Sequence, residues 1–167
     1  MSFPANFKER EFGCRCGQCD DLPHPDRIRH LAWALQKIRD KVGCPLKVTS
    51  GYRCADRNRA IGGAPASKHV QCYAADIKPV GKPVSDLFDA IQALRDAGEI
   101  PQGGLGKYTS WAHYDIRPGR PADWPSSMAY DNRHSYRADP QSRKPRPSMG
   151  GHLDVRAQRA GWRRLYC

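Results

Sequence analysis

Two short stretches of this sequence carry residues that could do metal chemistry. SKHVQCYAADI (67–77) holds His69 and Asp76 as an H-x6-D pair, and SWAHYDIR (110–117) holds His113 and Asp115 as H-x-D. Imidazole nitrogen and carboxylate oxygen are groups that a hydrolytic zinc takes, and a catalytic site uses three protein ligands with a position left for water. His69 and Asp76 would supply two of the three. An H-x6-D pair by itself is also what scattered polar residues give. Alternate residues of a strand share a face, so Trp111, His113 and Asp115 would line up together, which makes His113 a candidate third ligand. Asp115 has another use open to it, an ion pair with Arg117 or Arg53.

The elements that must position these residues can be read from hydrophobic spacing. PDRIRHLAWALQKIRDKVG (25–43) places Ile28, Leu31, Ala32, Leu35, Ile38 and Val42 at three- and four-residue steps, which predicts a helix with one apolar stripe. Pro25 suits its first turn and Gly43 its exit. LKVTS (46–50) alternates like a strand. RNRAIGGAPAS reads as a short helical turn followed by a loop, and YAADIKPV as a second strand. SDLFDAIQALRDAG (85–98) predicts another helix, with Ser85 as N-cap, Leu87, Phe88, Ile91 and Leu94 as its stripe, and Gly98 at its end. GGLGKY and WAHYDIR read as two further strands. The expected fold is α+β, a small, mostly antiparallel sheet flanked by helices.

Composition sets the bounds. The chain has 167 residues, enough for one domain and a tail. Residues 1–132 read as the folded domain, with a Cys-rich segment at 1–24. From about residue 133 the sequence turns into a Pro/Arg/Ser-rich linker and tail, ending in a stretch, LDVRAQRAGWRRLY, that reads as a short amphipathic helix. Residues 133–167 hold nine Lys/Arg against two Asp, a net +7, whereas the first 132 hold 19 against 15, a net +4. A cationic tail attracts nucleic acid, anionic lipid or an anionic wall. Nucleic-acid binding is not expected, because aromatic interleaving and a known motif are lacking. No apolar run reaches membrane-spanning length. The N-terminus lacks an apolar h-region, so the protein is expected to be made in the cytoplasm without a signal peptide.

Seven cysteines are many for such a chain, and an odd number cannot pair completely within it. Cys14, Cys16 and Cys19 form C-x-C-x-x-C. Such a cluster holds zinc if one more ligand joins it, and His24 lies nearby in sequence. The spacing is not that of a common finger, and the preferred reading is an ordinary thiol-rich turn.

SGYRCADRNRAIGGAPASKHVQCYAADI resembles the signature of the zinc D-Ala-D-Ala carboxypeptidases and related peptidoglycan endopeptidases: S-G-Y-R, then N, G-G, S-x-H and a closing A-x-D. GGLGKYTSWAHYDIRPGRPADW resembles the same family's second block, G-x-G-x-Y, an aromatic, H-x-D and a following Trp. Together the blocks cover roughly residues 46–124. The resemblance implies the fold shared with lysostaphin-type peptidases and the hedgehog signalling domain. It makes His69, Asp76 and His113 the ligands of one catalytic Zn2+. It also implies that Arg53 binds a substrate carboxylate or polarises the scissile carbonyl, a task suited to a permanently charged planar fork. Ser67 would orient the substrate or the loop around His69, and Tyr108 and Trp111 would wall the cleft, while core packing is preferred for Tyr52.

Two positions depart from the pattern. Cys72 stands where the family has Gly, so the turn is expected to differ there or the thiol to approach the metal or another thiol. Ser110 stands where several relatives carry a carboxylate three residues before the last histidine. Asp115 is then the remaining carboxylate for a general base, or else a group that orients His113. The partner implied is bacterial peptidoglycan, reached from the cytoplasm after holin-dependent release as in phage endolysins, with the basic tail drawn to the anionic envelope. The alternatives are a D,D-carboxypeptidase trimming terminal D-Ala and a non-catalytic zinc-bearing wall-binding module. The sequence does not address oligomeric state.

Overall fold

Helix α1 (Pro25–Val42) forms where the three- and four-residue apolar spacing predicts it, with Pro25 in its first turn. Gly43 ends it at φ 69°, a left-handed conformation that costs glycine little, and donates its amide to the Arg39 carbonyl. Ile28, Leu31, Leu35 and Ile38 are wholly buried, and each such side chain contributes about 1.5–3 kcal/mol by leaving water. The computed structural model describes residues 2–19 and 22–124. The linker, tail and terminal amphipathic helix expected within 133–167 lie outside the described residues.

The remaining elements follow in order. A 3-10 turn (Glu9–Phe12) precedes α1, and after α1 come β1 (Leu46–Ser50), α2 (Ala55–Ala60), β2 (Ala74–Pro79), α3 (Val84–Asp96), β3 (Gly104–Lys107), β4 (Ala112–Asp115) and β5 (Ala122–Trp124). The strands lie side by side as β1-β2-β4-β3-β5. Every pairing is antiparallel except β3 with β5, which is parallel. The fold is α+β with a mixed, mostly antiparallel sheet. None of the described helices is long and apolar enough to cross a membrane.

Ser85 is not the N-cap of α3. Pro83 holds that position, extended at φ −62° and ψ 150°, and Val84 opens the helix. Proline's ring already fixes a φ compatible with the cap, so the N-cap lies two residues earlier and Ser85 Oγ bonds Asp86 instead. Leu87, Ile91 and Leu94 of α3 pack with the α1 stripe against one face of the sheet.

Alternation along the strands divides the sheet's two faces. Ala75 and Ile77 of β2, Leu105 of β3, and Ala112 and Tyr114 of β4 belong to the hydrophobic core. The alternate positions, Asp76 in β2 and His113 and Asp115 in β4, are therefore aimed at the opposite face. Asp76 and His113 are direct cross-strand partners, so hydrogen-bonded backbone sets their spacing. β3 is bare on that face. Gly104 lies opposite Asp115 and Gly106 opposite His113. A Cβ at Gly104 would collide with Asp115 Oδ2 and Arg117 Nη2, and one at Gly106 with the Trp124 indole. Gly104→Ala is expected to lower stability by about 1–3 kcal/mol through overpacking, seen as a fall of several degrees in the thermal melting midpoint.

Candidate active site

His69 reaches the site from the turn between α2 and β2. Its amide donates to Ser67 Oγ at 3.3 Å, and its carbonyl accepts from the amides of Cys72 at 3.2 Å and Arg53 at 3.4 Å. Cys72 closes this turn at φ 59°, the left-handed region that favours glycine. The turn expected for a glycine is thus retained with a cysteine in it. The Cys72 side chain is wholly buried in the core, and burial pushes its thiol pKa upward. It joins neither of the metal-ligand groups found among the described residues.

His69, Asp76 and His113 converge on a point. Asp76 Oδ1 lies 3.1 Å from His69 Nε2 and 3.0 Å from His113 Nδ1, and the two ring nitrogens are 3.2 Å apart. All three side chains are buried. The remaining nitrogen of each ring is fixed by an acceptor. His69 Nδ1 donates to the Gly51 carbonyl at 2.7 Å, and His113 Nε2 donates to Asp115 Oδ2 at 3.1 Å. A carbonyl or carboxylate oxygen only accepts here, so His69 Nε2 and His113 Nδ1 are the atoms left to present lone pairs. Two imidazole nitrogens and one carboxylate oxygen at such separations are a donor set that fits a zinc ion.

Charge tunes each member. Burial pushes the His69 pKa down, and the adjacent Asp76 only partly offsets it. Burial also works downward on His113, but hydrogen bonds to Asp115 and Asp76 outweigh it and raise the pKa. Burial of Asp76 works upward and is outweighed by the two histidines, which hold its carboxyl well below the usual range. Protons compete with a metal for His69 Nε2 and His113 Nδ1, so metal affinity is expected to fall on acidification.

Arg53 is part of the cluster. Its Nη2 lies 2.6 Å from Asp76 Oδ2 and its Nε donates to Ser50 Oγ at 2.9 Å. The fold-locking ion pair and the position at the cleft are therefore both realised in one residue.

Asp115 lies behind His113 with none of its surface exposed. Its Oδ1 accepts from the amides of Gly104 and Arg117, both at 3.0 Å, and from Arg117 Nε at 2.8 Å. Its Oδ2 takes Arg117 Nη2 at 2.5 Å besides His113. Burial works upward on this carboxyl, but Arg117 and His113 outweigh it and hold the pKa well below the ordinary value of about 3.9. A depressed folded pKa adds stability that is complete above the unfolded value and is lost as pH falls through the folded one. Melting temperature is expected to decline below about pH 4, and Asp115→Asn should flatten that acid limb in a pH series of thermal melts.

The metal-ligand cluster opens on a cleft of about 540 Å³ whose walls include Arg53, Ser67, Lys68, Tyr108, Trp111 and Trp124. Tyr108 and Trp111 stack, with centroids 3.6 Å apart and planes 10° from parallel. Trp124 donates from Nε1 to Tyr108 Oη at 3.2 Å and lies 5.1 Å from the His113 ring. Tyr52 packs against the core, as expected. Sequence alone assigns Lys68 no site role, and it places Trp124 only as the Trp that follows H-x-D in the second block. Gly106, whose missing side chain makes room for the indole, is what seats it in the cleft.

A protein-family model described as Peptidase M15 matches residues 5–115, about two thirds of the chain. The chain belongs to the Peptidase M15 family. No curated protein matches the sequence. Membership makes the chain a peptidase, and the M15 match contains every residue of the His69–Asp76–His113 cluster and Arg53. It ends at Asp115, so Arg117 and the Trp124 wall of this M15 cleft lie beyond it.

Proposed function

We propose that the protein is a zinc peptidase that hydrolyses an amide bond in peptidoglycan stem peptides, acting as a phage endolysin-type endopeptidase. The observation that carries this reading is the convergence of His69 Nε2, Asp76 Oδ1 and His113 Nδ1 at the floor of an aromatic-walled cleft. The family membership and the resemblance of both sequence blocks to peptidoglycan peptidases support the substrate class.

His69, Asp76 and His113 would hold a zinc ion, which would supply Lewis acidity and a water of lowered pKa. The chain's own groups do the rest. Gly51 and Asp115 hold the two imidazoles in the tautomers that ligation needs. Arg53, anchored by Asp76 and Ser50, offers a fixed positive charge where a substrate carboxylate or a developing oxyanion can be met. Ser67 shapes the loop beneath His69. The stacked Tyr108–Trp111 pair and Trp124 exclude water and bind the peptide's apolar surface. Asp115, enclosed and bonded at both oxygens, acts as a positioning residue for His113 rather than as the proton acceptor.

The cationic segment 133–167 would hold the enzyme to the anionic envelope by a salt-sensitive attraction. The reading extends to cytoplasmic synthesis and holin-dependent release to the wall. A D,D-carboxypeptidase is the second reading, favoured by the cationic Arg53 and Lys68 among the residues lining the cleft, which suit a free C-terminal carboxylate. Mass analysis of digested muropeptides tests both. Separation of cross-linked dimers, or release of peptide from glycan, supports the endopeptidase, while loss of one terminal alanine supports the carboxypeptidase. Intact muropeptides after incubation with zinc-loaded protein would sink both.

A further inference from the structure

The N-terminal cysteines do not form an isolated turn. Cys14, Cys16 and Cys19 meet Cys54, the residue directly after Arg53, and the four sulfurs all lie within 4.8 Å of one another. Cys16 Sγ and Cys19 Sγ lie 3.1 Å apart, and all four cysteines are free thiols. We propose that Cys14, Cys16, Cys19 and Cys54 bind a second, structural zinc ion that staples the N-terminal segment to the Arg53 turn.

Geometry supports it first. A tetrahedral ion with Zn–S bonds of about 2.3 Å separates its sulfurs by about 3.8 Å. That edge is longer than the 3.1 Å Cys16–Cys19 separation and within the 4.8 Å that contains all four sulfurs. Sulfur–backbone contacts supply a second argument. The Cys54 amide donates to Cys14 Sγ at 3.4 Å, the Gln18 amide to Cys16 Sγ at 3.3 Å, and the Arg57 amide to Cys54 Sγ at 3.4 Å. Three of the four sulfurs thus accept amide hydrogens, the support a coordinating thiolate takes from its surroundings. Gly17, at φ 72°, makes the turn that brings the Gln18 amide back onto Cys16. Four soft sulfur donors in a closed set favour zinc in a structural rather than a catalytic role.

Among the described residues, the segment has little else to hold it. Gly13–Cys19 contains no apolar side chain besides its cysteines. Its side-chain tie to the sheet is Arg15 Nη2 donating to the Val48 carbonyl at 2.9 Å. A segment that cannot bury a core of its own is the kind that a structural metal stabilises. In place of the preferred thiol-rich turn, and of the alternative in which His24 adds a zinc ligand, the proposal uses a set that Cys54 completes.

The test uses the full chain, purified under reducing conditions. Elemental analysis should give two zinc per chain, and cobalt substitution of the wild type should produce an intense near-ultraviolet thiolate-to-metal band. The His69 cluster has no thiolate and cannot give that band. Cys54→Ser should remove one equivalent of zinc and the band. His69→Ala should remove one equivalent and keep the band, so failure of the catalytic-metal reading and failure of this one are distinguishable. Wild-type protein that takes up cobalt without the band would overturn the proposal. So would a native mass showing these cysteines joined as disulfides, or an iron–sulfur chromophore in place of zinc.

Discussion

Asp76→Asn should empty the catalytic cluster and abolish hydrolysis while leaving the fold in place. Asp76 is the hub: one oxygen faces both histidines and the other pairs with Arg53. Asparagine keeps the shape but removes the charge that both the proposed metal and the guanidinium need. Losing even a residue that only supports a ligand costs about 10–100-fold in metal affinity, so losing a charged ligand should cost about a hundredfold or more. Zinc content after dialysis against a chelator, read beside muropeptide release, checks it. Arg53→Ala is the matching control. It leaves all three ligand atoms in place, so zinc should stay bound while turnover drops. An Asp76→Asn protein with full zinc and full turnover would remove Asp76 from the ligand set.

Asp115→Ala separates two roles by a different signature. If Asp115 only orients His113, its loss should weaken metal binding by about 10–100-fold, and excess zinc should restore much of the activity. If it were the proton acceptor, zinc would remain bound at the wild-type level and no amount of added metal would restore cleavage. The enclosed carboxylate with its two-point contact to Arg117 favours the first outcome. The variant also leaves Arg117 without its partner, for a stability loss of about 3–5 kcal/mol if the site stays dry. Arg117→Ala therefore serves as a second route. It spares the carboxylate but removes two of its anchors, and should lower metal affinity in the same direction.

Much of the frame was readable from residue spacing. α1 and α3 follow their apolar steps because each buries one stripe, and the alternation in HYD sends His113 and Asp115 to one face because strand geometry allows nothing else. The ligand trio needed the family resemblance, since H-x6-D carries little weight alone. Other features arise from contacts distant in sequence, where local spacing is silent. Cys54 meets Cys14 across forty positions. Asp115 pairs with Arg117, while Arg53 pairs with Asp76, a division set by which strands lie side by side. β5 has three residues, too few for a periodic pattern, and is held by its pairing to β3.

That last short strand bears on where the molecule can be cut. A chain trimmed at Asp115, the limit of the family match, would carry every residue proposed to ligate the catalytic ion. It would lose Arg117, the counter-charge of a fully enclosed carboxylate, and Trp124, the indole that fills the space left by Gly106. Such a fragment would expose the Tyr108–Trp111 stack on one side and leave β3 as a raw sheet edge open to self-association. Shortened versions meant for crystallisation or fusion to other modules should therefore end after Trp124.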